Sequence, residues 1–233
     1  MSSNLLNLKI QGTSLKIKTN PKLFIPSLHG SKALGTAIRI SKGESVLDVG
    51  CGTGFLAILA AKKGGIVSGT DILPDAIILS KENASMNNVR VDFRRGDLFS
   101  PFKGKKFDVI IANIPQEVLS PKIKSKWTKE KVISYSGGKT GSEMLMKTLA
   151  WAKRYMHRET RLYIVVYTMS NSRKSLRYII KNYSARLINF YSGPVKDFVY
   201  ADKEWYEKNK DILIYKVGKK YFADLFVFEL MLK

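Results

Sequence analysis

The ten residues Val46-Leu47-Asp48-Val49-Gly50-Cys51-Gly52-Thr53-Gly54-Phe55 constrain this chain more than any other stretch. An apolar run of strand type ends in three glycines at alternate positions and then gives way to the apolar helical stretch 55–63. Glycines so placed let the backbone turn sharply and approach a ligand more closely than a Cβ would allow. A buried strand, a glycine turn and a buried helix form the opening unit of an open α/β sheet that binds a nucleotide at its strand ends. The common spacings G-x-G-x-x-G and G-x-x-x-x-G-K-[ST] are both absent.

From residue 45 onward, short β-rich runs alternate with helical stretches, the pattern of a parallel sheet covered on both faces. Strands are expected at 45–49, 66–70, 90–94, 107–112, 161–167 and 185–191, with helices at 55–63, 74–86, 141–155 and 172–182. Pro74 and Asp75 mark a helix start, because proline suits the first turn and an acid suits its dipole. Residues 211–215 and 221–232 read as a closing hairpin whose 225–230 stretch is apolar enough to be central. The expected fold is α/β and Rossmann-like: a mostly parallel seven-stranded sheet with helices on both faces and an antiparallel C-terminal strand. Residues 1–43 are expected to form a basic N-terminal arm with short strands, and 44–233 one domain.

Acids close successive strands. Asp71 lies about 20 residues beyond the glycine turn, where a carboxylate can accept from both ribose hydroxyls of a nucleoside. Gly96-Asp97-Leu98-Phe99 follows the third strand. Together with Asp48 inside the first motif, this set resembles the class I S-adenosylmethionine-dependent methyltransferases. The resemblance implies that Gly50, Gly52 and Gly54 line the cofactor and that Asp48 orients its methionine end. It also implies that Asp71, with Ile72 beside it, holds the ribose. Asp97 then accepts from the adenine amine while Leu98 covers the ring.

The fourth strand runs into Ala112-Asn113-Ile114-Pro115-Gln116, which resembles the Asn-Pro-Pro-Tyr motif of the small-domain, HemK-like methyltransferases that act on planar nitrogens. Asn113 and the carbonyl before or at Pro115 are then expected to accept the two hydrogens of an NH2 group and so aim its lone pair at the methyl. Asn113, Pro115 and Gln116 are the catalytic candidates, with Asn113 also against the cofactor. Ile114 and Gln116 depart from the motif, and Gln116 stands where an aromatic would stack on a planar target. It is expected to hydrogen-bond to a substrate edge instead. Gly137-Gly138-Lys139-Thr140-Gly141 resembles the Gly-Gly-x-x-Gly stretch of protein-glutamine methyltransferases. The resemblance extends from about Ile25 to Tyr167 and then the closing hairpin.

Composition adds a partner. The net charge is +21, and it is unevenly placed: 1–43 carries seven basic residues and no acid, 44–97 is almost neutral, and 153–186 carries nine basic residues against Glu159. Lys122, Lys124 and Lys126 around Trp127 are expected to grip phosphates and stack a base beside the target pocket. The favoured target is RNA or a ribosome- or RNA-associated protein. A protein glutamine or lysine is second, a small molecule is third, and an RNA-binding module with a vestigial cofactor pocket is the rival from another class. A lone cysteine, Cys51, excludes an internal disulfide and reads as a packing residue. His29 and His157 lack metal-ligand or triad spacing and read as incidental. No apolar run approaches the ~18 residues of a membrane span, and the N-terminus lacks the pattern of a secretion signal, so no membrane partner and a cytoplasmic location are expected.

Overall fold

The computed structural model describes residues 4–21, 23 and 30–233. His29, Lys22 and the start of the resemblance at Ile25 lie outside them. The chain opens with an antiparallel hairpin, β1 (Leu5–Ile10) and β2 (Thr13–Lys18), and then α1 (Gly30–Ala37). Alternation follows through β3 (Ser45–Val49), α2 (Phe55–Lys62), β4 (Ile66–Asp71), α3 (Pro74–Met86), β5 (Asp92–Arg95) and β6 (Phe107–Ala112). After α4 (Pro121–Lys126), α5 (Lys129–Tyr135) and α6 (Glu143–Ala152) come β7 (Met156–Tyr167), α7 (Ser172–Asn182) and β8 (Tyr183–Pro194). Two short helices, α8 (Asp197–Tyr200) and α9 (Lys203–Lys208), precede β9 (Tyr215–Val217) and β10 (Lys220–Leu232).

The main sheet runs β5-β4-β3-β6-β7-β10-β8, with β9 added to β10. The pairs among β5, β4, β3, β6 and β7 are parallel, and β10 is antiparallel to both β7 and β8. This is the Rossmann-like α/β sheet expected, with the 225–230 stretch central. Strand order reverses between β3 and β6, and it is outside the carboxyl ends at such a reversal that open sheets bind their ligands.

Residues of alternating parity fill two cores. Val46, Val109, Ile111, Tyr163, Val165 and Val227 face α1 and α2, while Leu47, Val49, Ile110, Ala112, Leu162 and Ile164 face α6 and α7. Helix α2 is buried on every side from Phe55 to Ala60, so its apolar sequence lacks a polar stripe. Ile10, Leu15 and Ile17 of the hairpin belong to the first core. Two asparagines one turn apart, Asn83 on α3 and Asn87 capping its C-terminus, fix the hairpin to the sheet. Asn83 exchanges two hydrogen bonds with the backbone of Lys18 (2.8 and 3.0 Å), and Asn87 two with that of Lys16 (3.0 and 2.7 Å).

Several boundaries differ from expectation. Strand β7 starts five residues early, at Met156, and β8 reaches Pro194. Helix α6 starts at Glu143 because Gly141 is left-handed (φ +77°) and cannot open a helix. Residues 211–214 are not a strand; Ile212 and Ile214 instead pack on a third cluster with Val195, Val199 and Tyr206. His157 has structural contacts after all, bridging Asp108 (3.0 Å) and Glu159 (3.2 Å). Among the described residues no helix is long and apolar enough to cross a membrane.

Candidate active site

The carboxyl ends of β3, β4 and β6 open into a cavity of about 650 Å³, and its walls are built differently. On the β3–β4–β5 wall the three glycines of the turn have φ of +70°, +53° and +78°. A Cβ on Gly54 would meet Ser80 Cβ at 3.0 Å, and one on Gly50 would meet Ile114 Cδ1 at 3.2 Å. Gly52 faces open space, so a ligand can lie against its backbone. Asp71, at the end of β4, accepts from Gly52 N–H and Leu73 N–H, both at 2.9 Å, which fixes its carboxyl beside the turn. Burial raises its pKa despite these bonds.

Asp48 is 1% exposed. Its Oδ2 accepts from Ala57 N–H (3.0 Å) in the first turn of α2, while Oδ1 is buried with no partner among the described residues. Burial, and secondarily the charge of Asp71, pushes its carboxyl up to about 7 against the pull of the Ala57 bond. An orphaned carboxylate oxygen on a cavity wall is a place for a cation, since an unpaired buried polar atom costs free energy until something meets it. Beyond β5, Asp97 is paired with Lys147 of α6 (2.5 Å), and Leu98 is buried in a left-handed conformation (φ +49°). Ile72 lines the cavity and is 49% exposed. Cys51 is buried, and burial raises its thiol pKa well above the usual range.

The opposite wall begins at Asn113. Its Nδ2 donates to Ser31 Oγ (3.1 Å), and its Oδ1 has no partner among the described residues. Pro115 lines the cavity beside it. The structure corrects the expectation for Gln116. This side chain is 2% exposed and both ends are engaged: Nε2 donates to Val165 O (2.9 Å), and Oε1 accepts from Tyr167 N–H (3.2 Å). It extends the β6–β7 ladder beyond its last backbone pair, Ala112 with Ile164, and offers no free edge to a substrate. The Gly-Gly-x-x-Gly stretch packs directly against it. A Cβ on Gly137 would fall 2.6 Å from Gln116 Cα, and one on Gly141 would fall 2.4 Å from Gln116 O.

The lysine segment is corrected as well. Trp127 meets Tyr135 and Phe198 edge-on (5.1 and 5.3 Å), and Lys131 stands over its ring at 4.6 Å. Lys122 donates to Ala201 O (2.8 Å). Trp127 and Lys122 therefore tie α4–α5 to α8–α9, and neither they nor Lys124 and Lys126, which are exposed, line the cavity. Val132, Ile133 and Ser134 of α5 do. The lining also includes residues that sequence reasoning missed: Ser31, Glu117, Lys147, Tyr167 and Lys196. Glu117 and Lys196 form a salt bridge across the rim.

Residues 15–187 match the family described as Methyltransferase small domain. A protein of Methanocaldococcus jannaschii named as a protein N5-glutamine methyltransferase is 36% identical over 155 residues, covering 64% of this chain and 73% of that one. A ribosomal protein L11 methyltransferase of Thermosipho africanus is 48% identical over 113 residues. That match takes in 46% of this chain and 43% of the relative, so the chain spans less than half of that protein. Among solved structures, the T. thermophilus 16S rRNA N2 G1207 methyltransferase, in complex with AdoMet and guanosine, superposes with a TM-score of 0.56 at 14% identity. The superposition covers 99% of this chain and 51% of that one, and it speaks for the fold alone. The chain belongs to the methyltransferase small-domain family.

Proposed function

We propose that this member of the methyltransferase small-domain family moves the methyl group of S-adenosylmethionine to a planar nitrogen of a macromolecule, with a protein side-chain amide favoured. S-adenosylmethionine is the cofactor. When bound, it supplies a methyl group on a positively charged sulfur, which leaves as a neutral thioether. The observation that carries the reading is Asn113, anchored through Nδ2 to Ser31, with no partner for Oδ1 among the described residues, beside Pro115. That oxygen and the carbonyl of Ile114 or Pro115 accept the two N–H groups of the target amine. Holding both hydrogens turns the nitrogen lone pair toward the methyl group, and orientation of this kind lowers a barrier without adding a strong base. After transfer the extra proton on nitrogen passes to solvent.

The cofactor's parts fit the other wall. The unpaired Oδ1 of Asp48 meets the ammonium at the methionine end, Gly52 and Asp71 receive the ribose, and Asp97 with Leu98 takes the adenine. The protein amide rises above RNA because Trp127 and Lys122, which would have held a nucleotide, are engaged in packing α4–α5 against α8–α9. RNA remains the second reading, favoured by Lys124 and Lys126 on the exposed face of α4 and by the seven basic residues of 1–43.

The test is to incubate the protein with methyl-labelled cofactor and fractionated cell extract, then treat with protease or ribonuclease. Label removed by protease and retained after ribonuclease is expected. Label removed by ribonuclease installs the second reading, and label in neither pool overturns both.

A further inference from the structure

We infer that Tyr167 supplies, through its hydroxyl, a contact to the planar target in place of the aromatic that the loop motif has lost, and that Gln116 is a positioning residue that helps to hold it there. The inference rests on the planar-nitrogen reading above. In the motif resembled, the aromatic follows the proline; here Gln116 occupies that place, and its amide crosses to the neighbouring strand. The two bonds it makes, to Val165 O and from Tyr167 N–H, bracket the last residues of β7. A tyrosine at position 116 has no amide with which to make this pair of bonds. The glutamine therefore continues the β6 side of the ladder three residues past Ile164, to Tyr167, which β10 already pairs on the other side through Leu225.

Tyr167 lines the cavity together with Val165 and, from adjacent β10, Ala223 and Leu225. Its ring packs partly between the main core and the cluster beneath α8–α9, so its position is held from both sides. Its hydroxyl makes no hydrogen bond among the described residues. Tyr167 is partly buried, and a phenol on a cavity wall with no protein partner among the described residues is free to meet a ligand atom. Burial, with the carboxylates of Glu117 and Asp224, raises its pKa and keeps it protonated, hence a donor. A primary amide matches this wall: its oxygen accepts from the Tyr167 hydroxyl at the ring edge, and its NH2 is held by Asn113. The donor contributes binding and orientation, while Asn113 aims the lone pair.

The experiment needs no natural substrate. With the enzyme saturated by S-adenosylhomocysteine, nicotinamide serves as a planar primary amide, titrated by calorimetry and by ligand-detected NMR. Wild type is expected to bind it saturably in the millimolar range. Tyr167→Phe, which keeps the ring and the packing, is expected to bind about three- to tenfold more weakly, the loss of one hydrogen bond. Tyr167→Leu should show no saturable binding. Gln116→Met, which keeps volume but loses both bonds, should also weaken nicotinamide, with S-adenosylhomocysteine affinity kept within about threefold in every variant. Equal nicotinamide affinity in wild type and Tyr167→Phe, or no saturable binding by wild type, overturns the inference, and Tyr167→Phe decides if the leucine variant does not fold. The extract experiment judges the methyl acceptor separately, so failure here leaves that result standing.

Discussion

The two walls of the cavity differ in how far the chain travels to build them. On the cofactor wall the polar contacts that set the glycine turn are short in sequence: Asp71 holds Leu73 two residues on and Gly52 nineteen back, and Asp48 holds Ala57 nine ahead, while the partly exposed Asp97–Lys147 pair spans 50. On the target wall they are long. Gln116 reaches Val165 and Tyr167 across 49 and 51 residues, Lys196 reaches Glu117 across 79, and Asn113 reaches Ser31 across 82. A wall made of local turns carries its chemistry as spaced motifs. A wall made of distant segments changes partners without changing the fold that supports it. The comparison predicts that the walls fail separately.

The largest expected effect is on the target wall. Asn113→Ala removes an orienting contact made at the moment of transfer, so turnover on the labelled acceptor should fall by roughly two orders of magnitude. Steady-state rates check it, and a wild-type rate would reduce Asn113 to a strand-end cap. Next is Asp71→Ala on the cofactor wall. Leaving two ribose hydroxyls unpaired costs on the order of 1 to 3 kcal/mol, about tenfold to a hundredfold in affinity for S-adenosylhomocysteine.

Asp48 gives the comparison a pH signature. Its carboxyl titrates at about 7 in the free protein, raised from the ordinary 3.8 by burial. Below 7 it is neutral and must lose its proton to meet an ammonium group, so affinity for S-adenosylhomocysteine should drop by up to about tenfold per pH unit on going below 7. Asp48→Asn should flatten that dependence. For stability the sign is opposite. A raised carboxyl favours the fold fully below 3.8 and loses that contribution as pH rises through 7, so the free Asp48→Asn protein should melt higher than wild type at pH 8 and no higher at pH 4. Thermal melts at the two pH values check it. The smallest effect belongs to Lys147→Met. The Lys147–Asp97 pair is more than a third exposed on both sides, and such pairs contribute about 0 to 1 kcal/mol, so cofactor affinity should shift by less than about fivefold either way. A larger shift by calorimetry would make Lys147 part of the adenine site.

How much was legible in the sequence follows the same division. β3, β6, α3 and α7 have the limits expected because each is bounded by a strong local signal: the glycine turn after Val49, Asn113 and Pro115 after Ala112, Pro74 at a helix start, Asn171 as the cap of α7. The hidden ends of β7 and β8 depend on pairing with β10, whose residues lie far along the chain. Asp48, Asp71, Asp97, Gly50 and Gly52 line the cavity and were legible because a strand end and a turn are local facts, whereas Gly54, expected beside them, faces Ser80 and Phe93. Ser31 and Tyr167 were not legible, since nothing near either residue marks it as facing a cavity. Trp127 was misread for a related reason: a lysine-flanked aromatic looks the same in sequence whether it is a free platform or, as here, closed in by Phe198 some seventy residues later. Gln116 was seen as a departure, but its partners lie on another strand.

The most direct test of the two-wall account is one calorimetric series, S-adenosylhomocysteine titrated into wild type, Asp71→Ala and Asn113→Ala. The account predicts binding weakened about tenfold to a hundredfold by the first substitution and changed by less than about threefold by the second. Equal losses in both variants, or undiminished binding in Asp71→Ala, would contradict it.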